Sequence, residues 1–207
     1  MPLFNAEERL AIPILLREVG VIKSILLGAR TRKRQDAGEP FQMLGPPSDD
    51  NDKLSRDQVG PAILLYQELA KLVSRDEAYR ITEKIVVTGA IPFMQERIGP
   101  IRRAELESMD QQARDEFIQI RGTRFFNATV RWDEVSARAV NFTVLSCTFP
   151  PLCAAAGVPE LAPIFCKGDE KFFGSVEPDV RLERPQTIAE GAPNCPFYLR
   201  WVDDTDN

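Results

Sequence analysis

The chain has 207 residues, 43% of them hydrophobic, which is enough for one sizeable core. Its net charge of −5 disfavours nucleic acids and anionic membranes as partners, because phosphate binding requires a basic face. The absence of histidine excludes Ser-His-Asp and Cys-His catalytic arrangements and histidine-ligated metal sites.

The N-terminal sequence predicts a cytoplasmic protein. Acidic residues stand where a signal peptide carries its basic region, and the apolar run over residues 11–28 is interrupted by Arg17, Glu18 and Lys23. Thiols stay reduced in the cytoplasm, so we expect the four cysteines to be free, catalytic or metal-binding. Matches to the glycosylation pattern at Asn127 and Asn141 would then be chance.

An N-terminal extension is predicted over residues 1–58, followed by a single domain over residues 59–207. Residues 5–33 predict a helix that is capped by Asn5 and is kinked or divided at Pro13 and Gly20. Residues 34–57 are rich in Gly, Pro and Asp and predict a long linking loop, with a lid over the site as the alternative. The apolar face of residues 10–27 is a candidate homodimer contact.

Helical periodicity dominates from Val59 to Gly122. Ser74 matches a capping box at the start of one helix and Ser108 matches another, while Gly122 stands where a left-handed C-terminal residue is common. The period then changes to two, and residues 124–132 and 135–147 predict a hairpin around the turn Asp133-Glu134.

Two short helices follow the hairpin, one over residues 150–156 and one from Pro159 past Cys166. Residues 179–184 and 195–202 predict two further strands. The predicted fold class is therefore α+β, with an N-terminal helical half, an antiparallel sheet of about four strands, and two short helices between the strand pairs.

Three cysteines are predicted to meet at one edge of this sheet. Cys147 closes the second strand and Cys195 opens the last one, so antiparallel pairing of these strands would place both at the same edge. Cys166 lies about two turns into the second short helix, which can present it to the same pocket. Cys153 is expected to be a buried packing residue. Inert thiols throughout are the alternative, because cysteine is commonly buried.

Charged residues close to these cysteines would make such a pocket reactive. Lys167 adjoins Cys166, and a nearby cation favours the thiolate form, although an exposed helix end is the alternative for Lys167. Asp169 lies on the same helical face, where it could bind an amino group or move a proton. Arg184 shares the parity of its apolar strand neighbours and is expected to point inward.

The C-terminal half resembles the L-2-amino-thiazoline-4-carboxylic acid hydrolase family. The family pattern has a cysteine about ten residues before a glycine, a G-x-P-E-L-like turn, a cysteine followed three residues later by aspartate, and an R-T-x-T-L-x-x-G-x-x-x-C-D-F-like ending. Here these elements are Cys147, Gly157, Pro159-Glu160-Leu161, Cys166 with Asp169, Arg184, Thr187-Ile188, Gly191, and Cys195 with Phe197.

The resemblance spans about residues 59–202, because the helical segment 65–86 is also similar to the family. Two positions depart from the pattern: Pro185 replaces the threonine after the arginine, and Pro196 replaces the aspartate after the last cysteine.

The resemblance implies a cysteine-dependent hydrolase, without a cofactor, that opens a small cyclic C=N carboxylate of the thiazoline type. One of Cys147, Cys166 and Cys195 would be the nucleophile. Asp169 would move a proton or bind the exocyclic amino group. The substrate-binding residues would be Arg184, as a carboxylate clamp, with Thr187 and Lys167.

Two alternatives stay open. The departures at 185 and 196 fit a pathway enzyme that performs a non-hydrolytic addition, cyclisation or elimination on a related small molecule. A non-enzymatic module is the other alternative, in which Cys147, Cys166 and Cys195 bind zinc, an iron–sulfur cluster or a small ligand. Their separations of 19 and 29 positions are typical of neither metal site.

Overall fold

The computed structural model describes residues 6–176 and 179–202. Within them, a mostly helical first half precedes a four-stranded antiparallel sheet, which confirms the predicted α+β class. The chain divides into two compact units, one formed by residues 1–89 with 149–165 and the other by residues 90–148 with 166–207. The boundary predicted between residues 58 and 59 stays a prediction, and it lies inside a helix.

The described residues form eight α-helices, four short helical turns and four strands. In chain order the α-helices are α1 (Ala6–Val19), α2 (Val21–Asp36), α3 (Asp50–Leu69), α4 (Arg75–Arg97), α5 (Arg103–Ser108), α6 (Gln111–Gly122), α7 (Phe149–Ala155) and α8 (Ala162–Lys171). Single-turn 3-10 helices cover Gln42–Leu44, Pro159–Leu161 and Ile188–Glu190, and a π-helical turn covers Phe172–Val176. The strands are β1 (Ala128–Val135), β2 (Ala139–Cys147), β3 (Val180–Glu183) and β4 (Cys195–Trp201).

The first two helices are separated at a glycine. Gly20, at φ 80°, stands between α1 and α2 in a conformation that favours glycine, as the sequence predicts, whereas Pro13 remains inside α1. The predicted cap Asn5 lies outside the described residues. α4 begins directly after Ser74, whose Oγ accepts the Glu77 backbone N–H at 3.2 Å, and this confirms the predicted cap.

Residues 50–57 are helical, which corrects their prediction as part of a loop. α3 begins at Asp50 because the side chain of Asp49 caps it by accepting the Asp52 backbone N–H at 2.8 Å. Ion pairs between residues four apart, Lys53 with Asp57 and Arg56 with Asp52, support this first part of the helix. The linker between α2 and α3 is therefore shorter than predicted.

Two predictions about α6 were wrong. Asp110, and not Ser108, caps this helix, because the Asp110 Oδ1 accepts the Ala113 backbone N–H at 2.9 Å. Gly122 is the last helical residue and does not adopt a left-handed conformation. A side chain at Gly122 would clash with the ring of Trp132, so close packing explains the glycine.

The hairpin turn lies three residues later than predicted. Asp133 and Glu134 belong to β1, where their carboxylates accept hydrogen bonds from side chains of β2. The turn covers residues 136–138, and Ser136 closes it by accepting the backbone N–H groups of Arg138 and Ala139 through its hydroxyl.

The sheet has the strand order β1-β2-β4-β3, with every pair antiparallel. Its inner face belongs to the core of the second unit. This core contains Val140, Phe142, Val144, Cys195, Phe197 and Leu199 from the sheet and Phe172 and Phe173 from the turn after α8.

An irregularity in β2 determines where Cys147 faces. β1 pairs Val130 with Val144 and Thr129 with Ser146, so Leu145 is left without a partner and forms a β-bulge. Strict alternation from Val144 would point Cys147 away from the core. After the bulge, Cys147 instead lies opposite Ala128, and both residues pack against the core.

An apolar surface on α2 is exposed. Val21, Ile22, Ile25 and Leu26 keep between 43% and 76% of their area accessible. The homodimer contact predicted for this region stays a prediction. None of the helices in the described part of the chain combines the length and apolar character needed to cross a membrane.

Candidate functional site

The structure brings three cysteines to one end of the sheet. Cys195 is paired with Val144, close to the end of β2, and lies on the inner face that Cys147 also reaches. The charges of Cys147 and Cys195 both influence the ionisation of Cys166, so each of these two thiols lies within electrostatic range of Cys166. None of these three described cysteines forms a disulfide bond, and Cys153 is buried in α7 within the other unit.

The three thiols differ in accessibility and acidity. Cys147 and Cys166 are half-buried, whereas Cys195 is buried. Burial raises the pKa of Cys166 to about 12, helped by the charge of Asp169 and opposed by that of Arg184. The expected acidifying effect of a nearby cation is therefore outweighed. Burial also raises the pKa of Cys195, although its sulfur accepts the Ile188 backbone N–H at 3.0 Å.

Arg184 points inward, as its strand parity predicts, and its side chain is only 2% exposed. Its guanidinium donates to Asp169 Oδ2 at 3.0 Å, to the Cys166 carbonyl oxygen at 3.0 Å and to Glu170 Oε1 at 2.7 Å. The same group lies 5.0 Å from the ring centroid of Phe197, which adds a cation–π contact. Its buried Nε–H has no hydrogen-bond acceptor among the described residues.

Asp169 is a carboxylic acid that titrates close to neutrality. Burial raises its pKa to about 6, and the charge and hydrogen bond of Arg184 limit the increase. Its side chain keeps 28% of its area exposed, so it can exchange protons with a ligand or with water. A carboxylic acid with these properties can act as a general acid or base near pH 7.

Thr187 and Lys167 occupy different positions. Thr187 is buried and caps the turn Ile188–Glu190, donating its hydroxyl to Glu190 Oε2 at 2.7 Å. Thr187 thereby helps to fix the turn that supplies the Ile188 N–H to Cys195. Lys167 is half-buried in α8. The next residue, Gly168, packs closely against α4, because a Cβ atom added to Gly168 would lie 2.7 Å from the Cβ atom of Ala90.

Two side chains at the site were missed by the sequence reasoning. Glu170 accepts a hydrogen bond from Arg184, which also donates to Asp169. Asn127, directly before β1, donates through Nδ2 to the Cys147 sulfur at 3.7 Å. No usable sequence signal pointed to Asn127, because the predicted turn at Asp133-Glu134 would have paired Asn127 with Val140 and not with the end of β2.

Metal binding by the three cysteines stays an alternative prediction. Among residues 6–176 and 179–202, no group of three or more Cys, Asp or Glu side chains is arranged to hold a metal ion. The geometry instead combines thiols of different accessibility with a carboxyl group that titrates near neutrality.

Comparison with known proteins gives weak structural likenesses and a family assignment. No curated protein matches the chain significantly. An Fe(II) unliganded H-NOX protein from K. algicida is 12% identical with a TM-score of 0.38 over 95% of both chains. An H-NOX protein mutant from S. oneidensis is 8% identical with a TM-score of 0.34, over 97% of this chain and 96% of that one.

TM-scores below 0.5 give no information about ligand or activity. The family comparison is more specific, because the model of the L-2-amino-thiazoline-4-carboxylic acid hydrolase family matches residues 56–199. That range covers most of the chain and contains Cys147, Cys166, Cys195, Asp169 and Arg184. The chain therefore belongs to the L-2-amino-thiazoline-4-carboxylic acid hydrolase family.

Proposed function

We propose that the protein is a thiol-dependent hydrolase that opens a small cyclic C=N carboxylate of the thiazoline type. The family supports a hydrolase. The observation that carries the cysteine chemistry is the proximity of Cys147, Cys166 and Cys195 at one end of the sheet, with Asp169 beside Cys166.

Cys147 is the proposed nucleophile. This residue is half-buried and is therefore more accessible than Cys195, which is buried. Cys166 is less suitable because a thiol whose pKa is raised to about 12 remains protonated at neutral pH, and the thiolate is the reactive form. Cys166 and Cys195 would line the site as neutral thiols.

The proposed reaction begins with addition of the Cys147 thiolate to the ring carbon between nitrogen and sulfur. The C=N electron pair moves to the ring nitrogen, which takes up a proton. The adduct collapses as the lone pair of the exocyclic nitrogen forms a new C=N bond and the bond from this carbon to the ring sulfur breaks. The released sulfur takes up the proton that this nitrogen loses, which leaves an isothiourea on Cys147. Water then adds to the same carbon and expels the Cys147 thiolate. One water molecule is consumed, and the product carries a urea group and a free thiol.

Asp169 is the proposed proton carrier, since its pKa of about 6 lets it donate to the ring nitrogen and later accept from water. For Arg184 we propose a positioning role in place of the carboxylate clamp, because its terminal nitrogens already donate to three protein acceptors. Lys167 stays a proposed substrate-binding residue. The Thr187 hydroxyl is engaged with Glu190, so its substrate contact stays a prediction.

The test compares Cys147→Ser, Cys166→Ser and Cys195→Ser with 2-amino-thiazoline-4-carboxylate as substrate. Turnover is followed by the appearance of a free thiol and, by mass spectrometry, of a product that has gained one water. We expect Cys147→Ser to lose roughly a thousandfold or more in turnover, because it removes the nucleophile. The matched control is Cys153→Ala, which changes a cysteine of the other unit and should keep full activity.

Full turnover in all three serine variants would refute the thiol mechanism. A product that has gained no water would support the non-hydrolytic alternative. Stoichiometric zinc or iron in the purified protein would support the metal-binding alternative.

A further inference from the structure

We infer that Asn127 is a positioning residue that stabilises the thiolate of Cys147. This inference rests on the proposed role of Cys147 as nucleophile. Its starting point is the contact between the Asn127 amide nitrogen and the Cys147 sulfur, at 3.7 Å. Sulfur is large and diffuse, so this separation suits an N–H group that donates to a sulfur atom.

The backbone holds Asn127 beside the end of β2. Its carbonyl oxygen accepts the Thr148 backbone N–H at 2.8 Å and the Thr148 hydroxyl at 3.3 Å. Thr148 directly follows Cys147, so these two hydrogen bonds extend the pairing of the strands by one step beyond Ala128 and Cys147. The amide is therefore delivered to the sulfur by a fixed backbone and not by a flexible loop.

The chemistry of the chain gives this contact its importance. Many thiol enzymes hold the thiolate beside a protonated histidine, and this chain has no histidine. An amide N–H that donates to sulfur favours the anionic form over the neutral thiol and so lowers its pKa. An amide does not titrate, so the donor is present at every working pH. The same donor would favour departure of the Cys147 thiolate in the second step.

The inference can be tested without any substrate. Native protein is alkylated with iodoacetamide between pH 5 and pH 10, and the rate at Cys147 is followed by peptide mass spectrometry. We compare the wild type with Asn127→Ala, which removes the donor, and with Asn127→Asp, which keeps the size but places a carboxylate beside the sulfur. Circular dichroism verifies that each variant is folded.

We expect the alkylation midpoint of Cys147 to rise from wild type to Asn127→Ala and further to Asn127→Asp. At pH 7 the alkylation rate should fall about tenfold in Asn127→Ala, the size expected for one hydrogen bond to a charged group. The isosteric Asn127→Asp variant keeps the test valid if the alanine variant fails to fold.

Equal midpoints in the wild type and in the folded variants would overturn the inference, and so would a changed rate at an unchanged midpoint, which reflects access alone. The proposed function has its own test in the turnover of Cys147→Ser. Shifted midpoints together with full turnover of Cys147→Ser would keep the role of Asn127 toward the thiolate and refute the proposed nucleophile.

Discussion

Two buried ion clusters, one in each unit, combine acidic and basic side chains in opposite proportions. In the first unit the Glu68 side chain is 3% exposed and pairs with Arg34, at 3.1 Å, and with Lys71. In the second unit the buried group is the cation, because the guanidinium of Arg184 pairs with Asp169 and Glu170.

The difference in proportion changes the acidity of the carboxyl groups. Burial acts to raise the pKa of Glu68, but Lys71 and Arg34 outweigh it and lower the pKa below its ordinary value. Burial dominates at Asp169 and raises its pKa to about 6. A buried carboxylate with several cations keeps a fixed charge and holds helices together. A carboxylic acid that titrates near neutrality beside thiols can exchange protons.

The largest expected effect on stability comes from Arg184→Met. This variant leaves Asp169 and Glu170 without their shared guanidinium, and loss of one partner from a buried ion cluster costs about 3 kcal/mol or more. The control variant Lys71→Met should cost only about 1 kcal/mol, because the Lys71 side chain is 58% exposed and Glu68 keeps Arg34. Urea unfolding at pH 7 measures both, and equal losses would contradict the contrast between the clusters.

Titration of the acidic residue is expected to change the free energy of unfolding in opposite directions in the two clusters. The pKa of Asp169 is raised to about 6 from an ordinary value of 3.8, so the folded protein binds more protons than the unfolded chain between these values. The free energy of unfolding of the wild type, relative to Asp169→Asn, should therefore fall from pH 4 to pH 6 and then level off. Urea unfolding across this range tests it, and a rising difference would show that the pKa is not raised.

Glu68 should behave in the opposite way. Its pKa is lowered from 4.5, so its stabilising contribution is complete above pH 4.5 and is lost as the pH falls through the folded-state pKa. The wild type should lose stability relative to Glu68→Gln as the pH decreases from 5 to 3, because only the wild type takes up this proton. Acid unfolding followed by circular dichroism measures the difference, and a pH-independent gap would contradict it.

The smallest effect concerns the helix that carries Cys166 and Asp169. Gly168→Ala places a Cβ atom 2.7 Å from that of Ala90, so we expect a net loss of about 1 kcal/mol and a displaced α8. Gly28→Ala is the control, because nothing lies within 4 Å of the added carbon there and the change should stabilise α2 by about 0.5 kcal/mol. Thermal unfolding compares them, and equal stabilisation by both would refute close packing at Gly168.

The sequence predicts the strands and helices that carry the site residues better than it predicts the side-chain contacts among them. Strand periodicity locates Cys147 and Cys195 at the ends of neighbouring strands, because alternation and pairing are local properties. The hydrogen bond from Arg184 to Glu170 depends on the packing of a helix against a segment distant in sequence, and no local pattern predicts such packing. The turn prediction was wrong because acidic residues resemble turn residues, although in β1 they accept hydrogen bonds from β2.

The unpaired Leu145 has a consequence for how the site tolerates change. Side chains of a strand point alternately to its two faces. A residue without a pairing partner therefore reverses this alternation for all residues that follow it. The inward direction of Cys147 therefore depends on the number of residues between the paired positions Val144 and Ser146. The side chain of Leu145 contributes little to it, since this residue is 44% exposed. A substitution at Leu145 leaves the number of residues unchanged. Single-residue replacements would therefore not reveal the feature that directs the Cys147 thiol inward.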